Sequence, residues 1–98
     1  SISGVGDLDV TCKSKYGRNR RFGQDIIKTD MLSKFKNIDD LIANVSKIGY
    51  LPEGAIACKY VYEIGKKKDL KLPLTYVLYR ILNKECSVQQ ALEEVMSL

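Results

Sequence analysis

The chain has 98 residues, of which 45% are hydrophobic and 29% charged, and its 16 Lys and Arg residues against 12 Asp and Glu residues give a net charge of +4. A chain of this length hides roughly two-thirds of its unfolded surface in one core, so we expect one soluble domain over residues 1–98 rather than a self-contained two-domain enzyme. The sequence contains no histidine, which excludes Ser-His-Asp and Cys-His catalysis and histidine-containing zinc sites within it.

Lysine or arginine interrupts every hydrophobic run before it reaches the roughly 18 residues of a membrane span, so we expect no membrane partner. The first four residues have neither a secretory pattern nor an initiator methionine, which favours a processed chain or a fragment. Three cysteines, Cys12, Cys58 and Cys86, form no C-x-x-C pair. Their number and spacing predict reduced, buried thiols in a cytoplasmic protein and no metal site.

The first third of the chain has the least regular pattern. Leu8, Val10 and Cys12 alternate as in a strand, and the choice between strand and helix stays open for this stretch. From Arg21 to Phe35 the apolar spacing is typical of a helix. The polar, lysine-rich stretch from Lys28 to Asn37 is predicted to be a variable connection.

The middle of the chain predicts two amphipathic helices. The first begins at a cap of Asn37 or Asp39 and ends before Gly49. The second opens with Pro52 and ends in the lysines at 66–68, which suit the negative end of a helix. The apolar residues expected on the inner faces are Leu41, Ile42, Val45 and Ile48 in the first helix, and Ala55, Ile56, Val61 and Ile64 in the second.

Two further helices are predicted near the C-terminus. Pro73 suits the first turn of one that ends near Asn83, and Ser87 with Gln90 resembles a capping box at the start of the other. The inner faces are expected to carry Leu74, Val77, Leu78, Ile81 and Leu82 in the first of these, and Val88, Ala91, Leu92, Val95 and Met96 in the second. The pattern alone therefore predicts a helical bundle for the C-terminal half.

The densest polar cluster lies before these helices. It comprises Gly6-Asp7-Leu8, Thr11-Cys12 and Arg18-Asn19-Arg20-Arg21-Phe22-Gly23. Arginine with asparagine suits an anion, because the guanidinium offers a planar fork to phosphate oxygens and the amide adds a neutral donor. Taken alone, the run of Arg18, Arg20 and Arg21 favours a solvated basic helix start over an anion site, and Asp7 fits a helix cap as well as a functional carboxylate.

The basic residues also raise an alternative function, that of a small helical module binding nucleic acid or protein. The lysines at 66–68 are explained by a solvated helix terminus, and no RNA-binding aromatic pattern accompanies them, so we expect no nucleic-acid partner. Four tyrosines fall at helical spacing and predict core or interface packing: Tyr60, Tyr62, Tyr76 and Tyr79. A dimerisation bundle is a third possibility.

The order of motifs resembles that of the C-terminal, substrate-binding domain of bacterial-type NAD(P)-dependent glycerol-3-phosphate dehydrogenases. The matching motifs are Gly4-Val5-Gly6-Asp7-Leu8, Thr11-Cys12, Arg18 to Gly23, Glu53-Gly54, Leu72-Pro73-Leu74 and Ala91-Leu92. The resemblance implies an all-α helical bundle, including a helix at Asp7 to Cys12, and a Rossmann-like cofactor domain that is absent from this chain. It also implies a homodimer.

For the full-length protein, the resemblance implies an oxidoreductase that interconverts sn-glycerol 3-phosphate and dihydroxyacetone phosphate with NAD or NADP, in glycerolipid precursor metabolism and phospholipid biosynthesis. The family's catalytic lysine is expected upstream of these residues. The 98 residues alone are therefore expected to be inactive, because hydride transfer needs the bound nicotinamide and a proton-transfer group.

Residue by residue, the resemblance implies substrate-binding roles for Asp7, Gly17, Arg18 and Asn19. It implies cofactor-binding roles for Arg18, Leu51 and Glu53, and no metal. Asp7 is expected to orient the catalytic lysine or to accept a hydrogen bond from a substrate hydroxyl.

The sequence departs from the family pattern at Gly17 and in the segment between Gly23 and Glu53. Gly17 stands where the family has a serine, so only its backbone N–H is expected to reach a phosphate. Glu53 also fits a favourable acid in the first turn of a helix. The segment between Gly23 and Glu53 is longer than in bacterial relatives and is expected to be a surface elaboration without a catalytic role.

Overall fold

A computed structural model describes residues 14–97, and over that range the chain forms five α-helices and two short 3-10 turns, without a strand. The helices are α1 (Lys15–Lys28), α2 (Ile38–Ala43), α3 (Glu53–Lys67), α4 (Pro73–Leu82) and α5 (Val88–Met96). The 3-10 turns are Met31–Lys34 and Val45–Lys47. The all-α prediction is confirmed for this range, whereas the helix expected at Asp7 to Cys12 lies outside the described residues.

Two helix starts follow directly from capping side chains. The Asn37 side chain accepts a hydrogen bond from the Asp40 N–H at 2.8 Å, which makes Asn37, and not Asp39, the cap of α2. At α5 the Ser87 hydroxyl accepts from the Gln90 N–H at 3.1 Å, and the Gln90 side chain accepts from the Ser87 N–H at 2.9 Å. The predicted capping box is therefore confirmed.

The helix predicted to end before Gly49 is shorter than expected and ends at Ala43. Asn44 leaves the helical conformation, with φ −125° and ψ 38°. Its Nδ2 donates to the Asp40 carbonyl at 2.9 Å and to the Asp40 carboxylate at 2.8 Å. Such local side-chain bonds compete with the helix, so a 3-10 turn follows where the pattern predicted a further helical turn.

The helix predicted to continue to Phe35 breaks at Thr29. The Thr29 hydroxyl donates to the Asp25 carbonyl at 2.5 Å and accepts from the Met31 N–H at 3.2 Å. Thr29 itself has extended backbone dihedrals, so α1 ends at Lys28 and the chain resumes as a 3-10 turn. The apolar periodicity of the sequence continues past Thr29, so it does not reveal that the helix ends there.

The core lies among α1, α2, α3 and the end of α4. Its buried members are Phe22, Met31, Phe35, Ile38, Leu41, Ala55, Cys58 and Leu82. Half of them belong to the segment between Gly23 and Glu53, and Ile38 and Leu41 are 0% exposed. The expectation of a surface elaboration between Gly23 and Glu53 is therefore wrong, because the segment's isolated apolar residues point inward between its solvated lysines. The stretch from Lys28 to Asn37 does connect α1 to α2, and its variability stays a prediction.

The buried face of α3 differs from the predicted one. It consists of Ala55, Cys58 and Gly65, whereas Val61 and Ile64 are exposed. A Cβ at position 65 would lie 2.7 Å from Tyr76 Oη and 3.0 Å from Leu72 Cδ1. Small residues let α4 approach α3 closely, and a search for large apolar residues at helical spacing overlooks such a face.

The predicted inner faces of α4 and α5 are only partly buried. Val77, Leu82 and Ala91 are buried, but four residues expected to point inward are exposed: Leu74, Leu78, Leu92 and Met96. The most extensive packing of α5 is against α4, and an ion pair between Arg80 and Glu94 at 2.7 Å joins the two helices. A helix packed mainly against one neighbour buries a narrower stripe than its apolar residues would cover.

The tyrosine prediction is confirmed for three of the four residues. The Tyr62 ring stacks on Tyr79 with centroids 3.6 Å apart and meets Tyr76 edge to face at 5.7 Å. Tyr60 is 60% exposed and makes no ring contact with the described residues. The aromatic packing therefore joins the C-terminal half of α3 to α4.

The cysteine prediction holds only in part. Cys58 is buried, and burial raises the pKa of its thiol. Cys86 is half-buried, and Cys12 lies outside the described residues. Over residues 14–97 no cluster of Cys, Asp or Glu side chains has the arrangement of a metal site, and no helix in that range is long and apolar enough to cross a bilayer.

Candidate functional site

The basic part of the polar cluster, from Arg18 to Gly23, lies in the first half of α1. Ser14 caps this helix, because its hydroxyl accepts from the Gly17 N–H at 3.0 Å and its carbonyl accepts from the Arg18 N–H at 2.9 Å. Arg18 and Asn19 follow within the first turns. Both side chains contact the first residues of α3, so the site forms where two helix starts meet.

Arg18 makes a two-pronged ion pair with Glu53, the first residue of α3. Its Nε donates to Oε1 at 3.0 Å and its Nη2 donates to Oε2 at 2.6 Å. The hydrogen bond from Arg18 lowers the pKa of Glu53 below its ordinary value, and the same bond raises the pKa of Arg18. The two side chains remain 26% and 21% exposed, so this pair sits at the rim of the fold.

Glu53 has the structural role that the sequence offered for it, and its cofactor contact stays a prediction. It is an acid in the first turn of α3, where the positive end of the helix favours a carboxylate. It also lies at the predicted site, bound to the predicted arginine. The pairing spans 35 positions of sequence, so no local pattern announces it.

Asn19 contacts the next residue of α3 through the backbone. The Gly54 N–H donates to Asn19 Oδ1 at 2.7 Å. The Asn19 Nδ2 makes no hydrogen bond within residues 14–97, and no buried side-chain nitrogen or oxygen in that range lacks a partner. The Nδ2 group is therefore accessible to solvent. Arg18 and Asn19, which are neighbours on α1, therefore bind Glu53 and Gly54, which are neighbours on α3.

The turn before α3 carries Leu51, which is exposed two residues before Glu53. Tyr50 anchors this turn on α1, because its hydroxyl donates to the Asp25 carboxylate and the Arg21 guanidinium lies 4.5 Å from the centre of its ring. Sequence reasoning missed this anchor. Arg21 and Asp25 are separated by four residues on α1, a local signal, but nothing in the sequence links them to Tyr50.

Gly17 is buried in the first turn of α1, and its N–H already donates to the Ser14 hydroxyl. That N–H reaches an anion only if the Ser14 cap opens. Asp7 lies outside the described residues. The structure thus brings Arg18, Asn19 and Glu53 into mutual reach and places Leu51 on the adjoining turn.

The chemistry of these groups fits a phosphorylated ligand and sugar hydroxyls. A solvent-facing amide donor beside an arginine suits phosphoryl oxygens. Each Glu53 oxygen accepts one hydrogen bond from Arg18 and retains a lone pair, which suits a ribose hydroxyl as donor. The residues predicted to contact a dinucleotide cofactor therefore fit that role chemically.

The fold and this site define an α-helical domain in which an arginine and an asparagine on one helix bind the start of another. The family described as NAD-dependent glycerol-3-phosphate dehydrogenase C-terminus matches residues 1–93. The chain belongs to this family, as its resemblance predicted.

Relatives named glycerol-3-phosphate dehydrogenase [NAD(P)+] extend the match. The chain is 59% identical over 96 residues to the protein of Treponema denticola and 45% identical to that of Treponema pallidum. It is 38% identical to that of Brachyspira hyodysenteriae. Each match covers 98% of this chain but only 27%, 27% and 26% of the relative, so the chain spans about a quarter of their length. No solved structure matches the chain.

Proposed function

We propose that residues 1–98 are the helical substrate-binding domain of an NAD(P)-dependent glycerol-3-phosphate dehydrogenase. The full-length enzyme would interconvert sn-glycerol 3-phosphate and dihydroxyacetone phosphate. The observation that carries the proposal is the paired contact of Arg18 and Asn19 with the first two residues of α3. It holds a permanent cation and a neutral donor together at the exposed rim of the domain.

Arg18 and Asn19 bind the phosphate of the substrate in this proposal. The guanidinium supplies charge and the Asn19 Nδ2 supplies a hydrogen bond, so that the phosphate is held without a second cation. Gly17 is the buried residue of α1 that immediately precedes Arg18 and Asn19. Asp7 orients the lysine that exchanges a proton with the substrate oxygen, and that lysine belongs to another part of the protein.

Glu53 and Leu51 face the cofactor in this proposal, with Arg18 between cofactor and substrate. Glu53 accepts a hydrogen bond from a ribose hydroxyl while it keeps Arg18 in place, and Leu51 covers an apolar edge. NAD(P)H supplies the hydride when it is bound. The remaining task of this domain is to orient the substrate and to exclude water from it.

The proposal extends to the setting of the enzyme. A cofactor domain of the same polypeptide is the main partner of this domain, and the enzyme acts as a homodimer in the cytoplasm, where it supplies glycerolipid precursors. The family resemblance supports these points. The proposal includes no nucleic-acid partner.

The test is turnover of dihydroxyacetone phosphate with NADH by the full-length protein that carries this segment. Arg18→Ala is expected to lower kcat/KM by about a hundredfold, because it removes charged hydrogen bonds to the phosphate. Arg20→Ala is the matched control. Arg20 is exposed and makes no ion pair within residues 14–97, so kcat/KM should stay within about twofold. Absence of turnover in the unmodified protein, or equal losses in both variants, contradicts the proposal.

A further inference from the structure

The contact between Asn19 and Gly54 fixes the orientation of the Asn19 carboxamide. A backbone N–H can bond only to the oxygen of that group, and the distance from Gly54 N to Oδ1 is 2.7 Å. The amide nitrogen must then point away from α3. This assignment follows from the chemistry of the donor and does not depend on which amide atom is labelled oxygen.

The start of α3 needs this contact. The first N–H groups of a helix lack acceptors within the helix. Pro52, at the cap position of α3, supplies no side-chain hydrogen bond to them. Asn19 therefore provides from α1 the acceptor that a Ser or Asp cap provides in other helices.

A side chain at position 54 would press on the Asn19 carboxamide. A Cβ there would lie 3.1 Å from Asn19 Oδ1 and 3.3 Å from Asn19 Cγ. Both distances are tighter than ordinary contact, so a side chain at this position displaces the carboxamide. Gly54 therefore acts on the Asn19 carboxamide in two ways. Its N–H donates a hydrogen bond to the amide oxygen, and the absence of a Cβ leaves space for the amide group.

We propose that Gly54 is a positioning residue that orients the Asn19 carboxamide with its Nδ2 donor toward the ligand and thereby favours an acceptor group, such as a phosphoryl oxygen, at that point. This inference rests on the proposed function. Because its bond to the Gly54 N–H turns the Asn19 oxygen toward α3, the ligand meets Nδ2. A ligand atom that accepts a hydrogen bond is therefore favoured at this point over one that can only donate.

The first experiment measures KM and kcat for dihydroxyacetone phosphate and for NADH with the full-length protein. Gly54→Ala is expected to raise KM for dihydroxyacetone phosphate about tenfold, with KM for NADH within about twofold. Gly23→Ala is the matched control, because a Cβ at position 23 meets no atom within 4 Å. It should change neither constant. Gly54→Ala should add no further loss to Asn19→Ala, since Gly54 acts through Asn19.

A second variant tests the polarity directly. In Asn19→Asp one oxygen still accepts from the Gly54 N–H, but the other presents negative charge to the phosphate. This variant should lose more kcat/KM than Asn19→Ala while its unfolding midpoint matches that of the unmodified protein. The inference is overturned if Asn19→Asp is the more active of the two, if Gly54→Ala leaves the substrate KM unchanged, or if the Gly54 and Asn19 losses add. Absence of turnover by the unmodified protein would instead overturn the proposed function and this inference with it.

Discussion

The two ends of α3 meet their neighbours in contrasting ways. At its start, Glu53 and Gly54 contact α1 through an ion pair and a backbone hydrogen bond, at side chains that remain partly exposed. Toward its end, Gly65 is buried against Tyr76 of α4, next to the stacked rings of Tyr62 and Tyr79. Helix α3 therefore makes polar contacts at its N-terminal end and aromatic contacts toward its C-terminal end.

In the proposed function, the groups at the start of α3 serve ligand binding, whereas those toward its end serve stability. A glycine allows close approach at both ends, but its neighbour is an amide at Gly54 and a phenol ring at Gly65. Exposed ion pairs contribute little to stability, whereas aromatic packing contributes substantially. Changes at the start of α3 should therefore affect binding, and changes toward its end should affect the free energy of unfolding.

The largest stability effect at the C-terminal end is expected from Tyr62→Ala. It removes the stack on Tyr79 and the edge contact with Tyr76, and should lower the free energy of unfolding by about 2 kcal/mol. Urea unfolding of the full-length protein measures this. Tyr60→Ala is the control on the exposed side of the same helix and should stay within about 0.5 kcal/mol. Equal losses in both variants would show that the ring contacts are not what stabilises this end.

Gly65→Ala should have a smaller effect of the same kind. The added methyl group meets Tyr76 and Leu72, and Tyr76 cannot move without disturbing its hydrogen bond to the Leu70 carbonyl. Overpacking costs about 1–3 kcal/mol, and the gain in helix propensity offsets about 1 kcal/mol of it, which leaves a net loss of about 1 kcal/mol. Urea unfolding and kcat/KM at a temperature below the transition should show a stability loss without a loss of activity.

Gly23→Ala sharpens that comparison. With open space around its Cβ, this variant should gain about 0.4–1 kcal/mol from the reduced freedom of the unfolded chain. Two glycines within helices are then expected to respond with opposite signs. A loss of stability in both would mean that the space around Gly65 does not explain its effect.

The smallest effect is the pH dependence of the ion pair at the start of α3. Arg18 holds the pKa of Glu53 below its ordinary value of 4.5, so the pair contributes stability that is present above about pH 4.5 and is lost as pH falls through the lowered pKa. The difference in unfolding free energy between the unmodified protein and Glu53→Gln should be constant at neutral pH and shrink below pH 4.5. A difference that grows on acidification contradicts this assignment.

The sequence predicts local features of this fold better than its contacts. The Asn37 cap, the capping box at Ser87 and the start of α4 at Pro73 follow from residues within one helical turn of each other. The small-residue face around Gly65 has no such signal, because it is defined by the helix packed against it.

In the candidate site, too, the residue types are predicted from the sequence but some of their contacts are not. Arg18, Asn19 and Glu53 were predicted from their chemistry and from the family resemblance, and the structure brings them together. The role of Gly54 was not predicted, because a backbone N–H leaves no mark on the sequence. The anchor at Tyr50 was missed for a related reason, since its partner on α1 lies 25 positions away.

The most direct test of the central claim, that Arg18 and Asn19 bind the substrate phosphate, is calorimetric titration of the full-length protein with sn-glycerol 3-phosphate. The dissociation constant should rise at least about tenfold in Arg18→Ala and stay within about twofold in Arg20→Ala. An unchanged affinity in Arg18→Ala would contradict the claim and place the phosphate elsewhere.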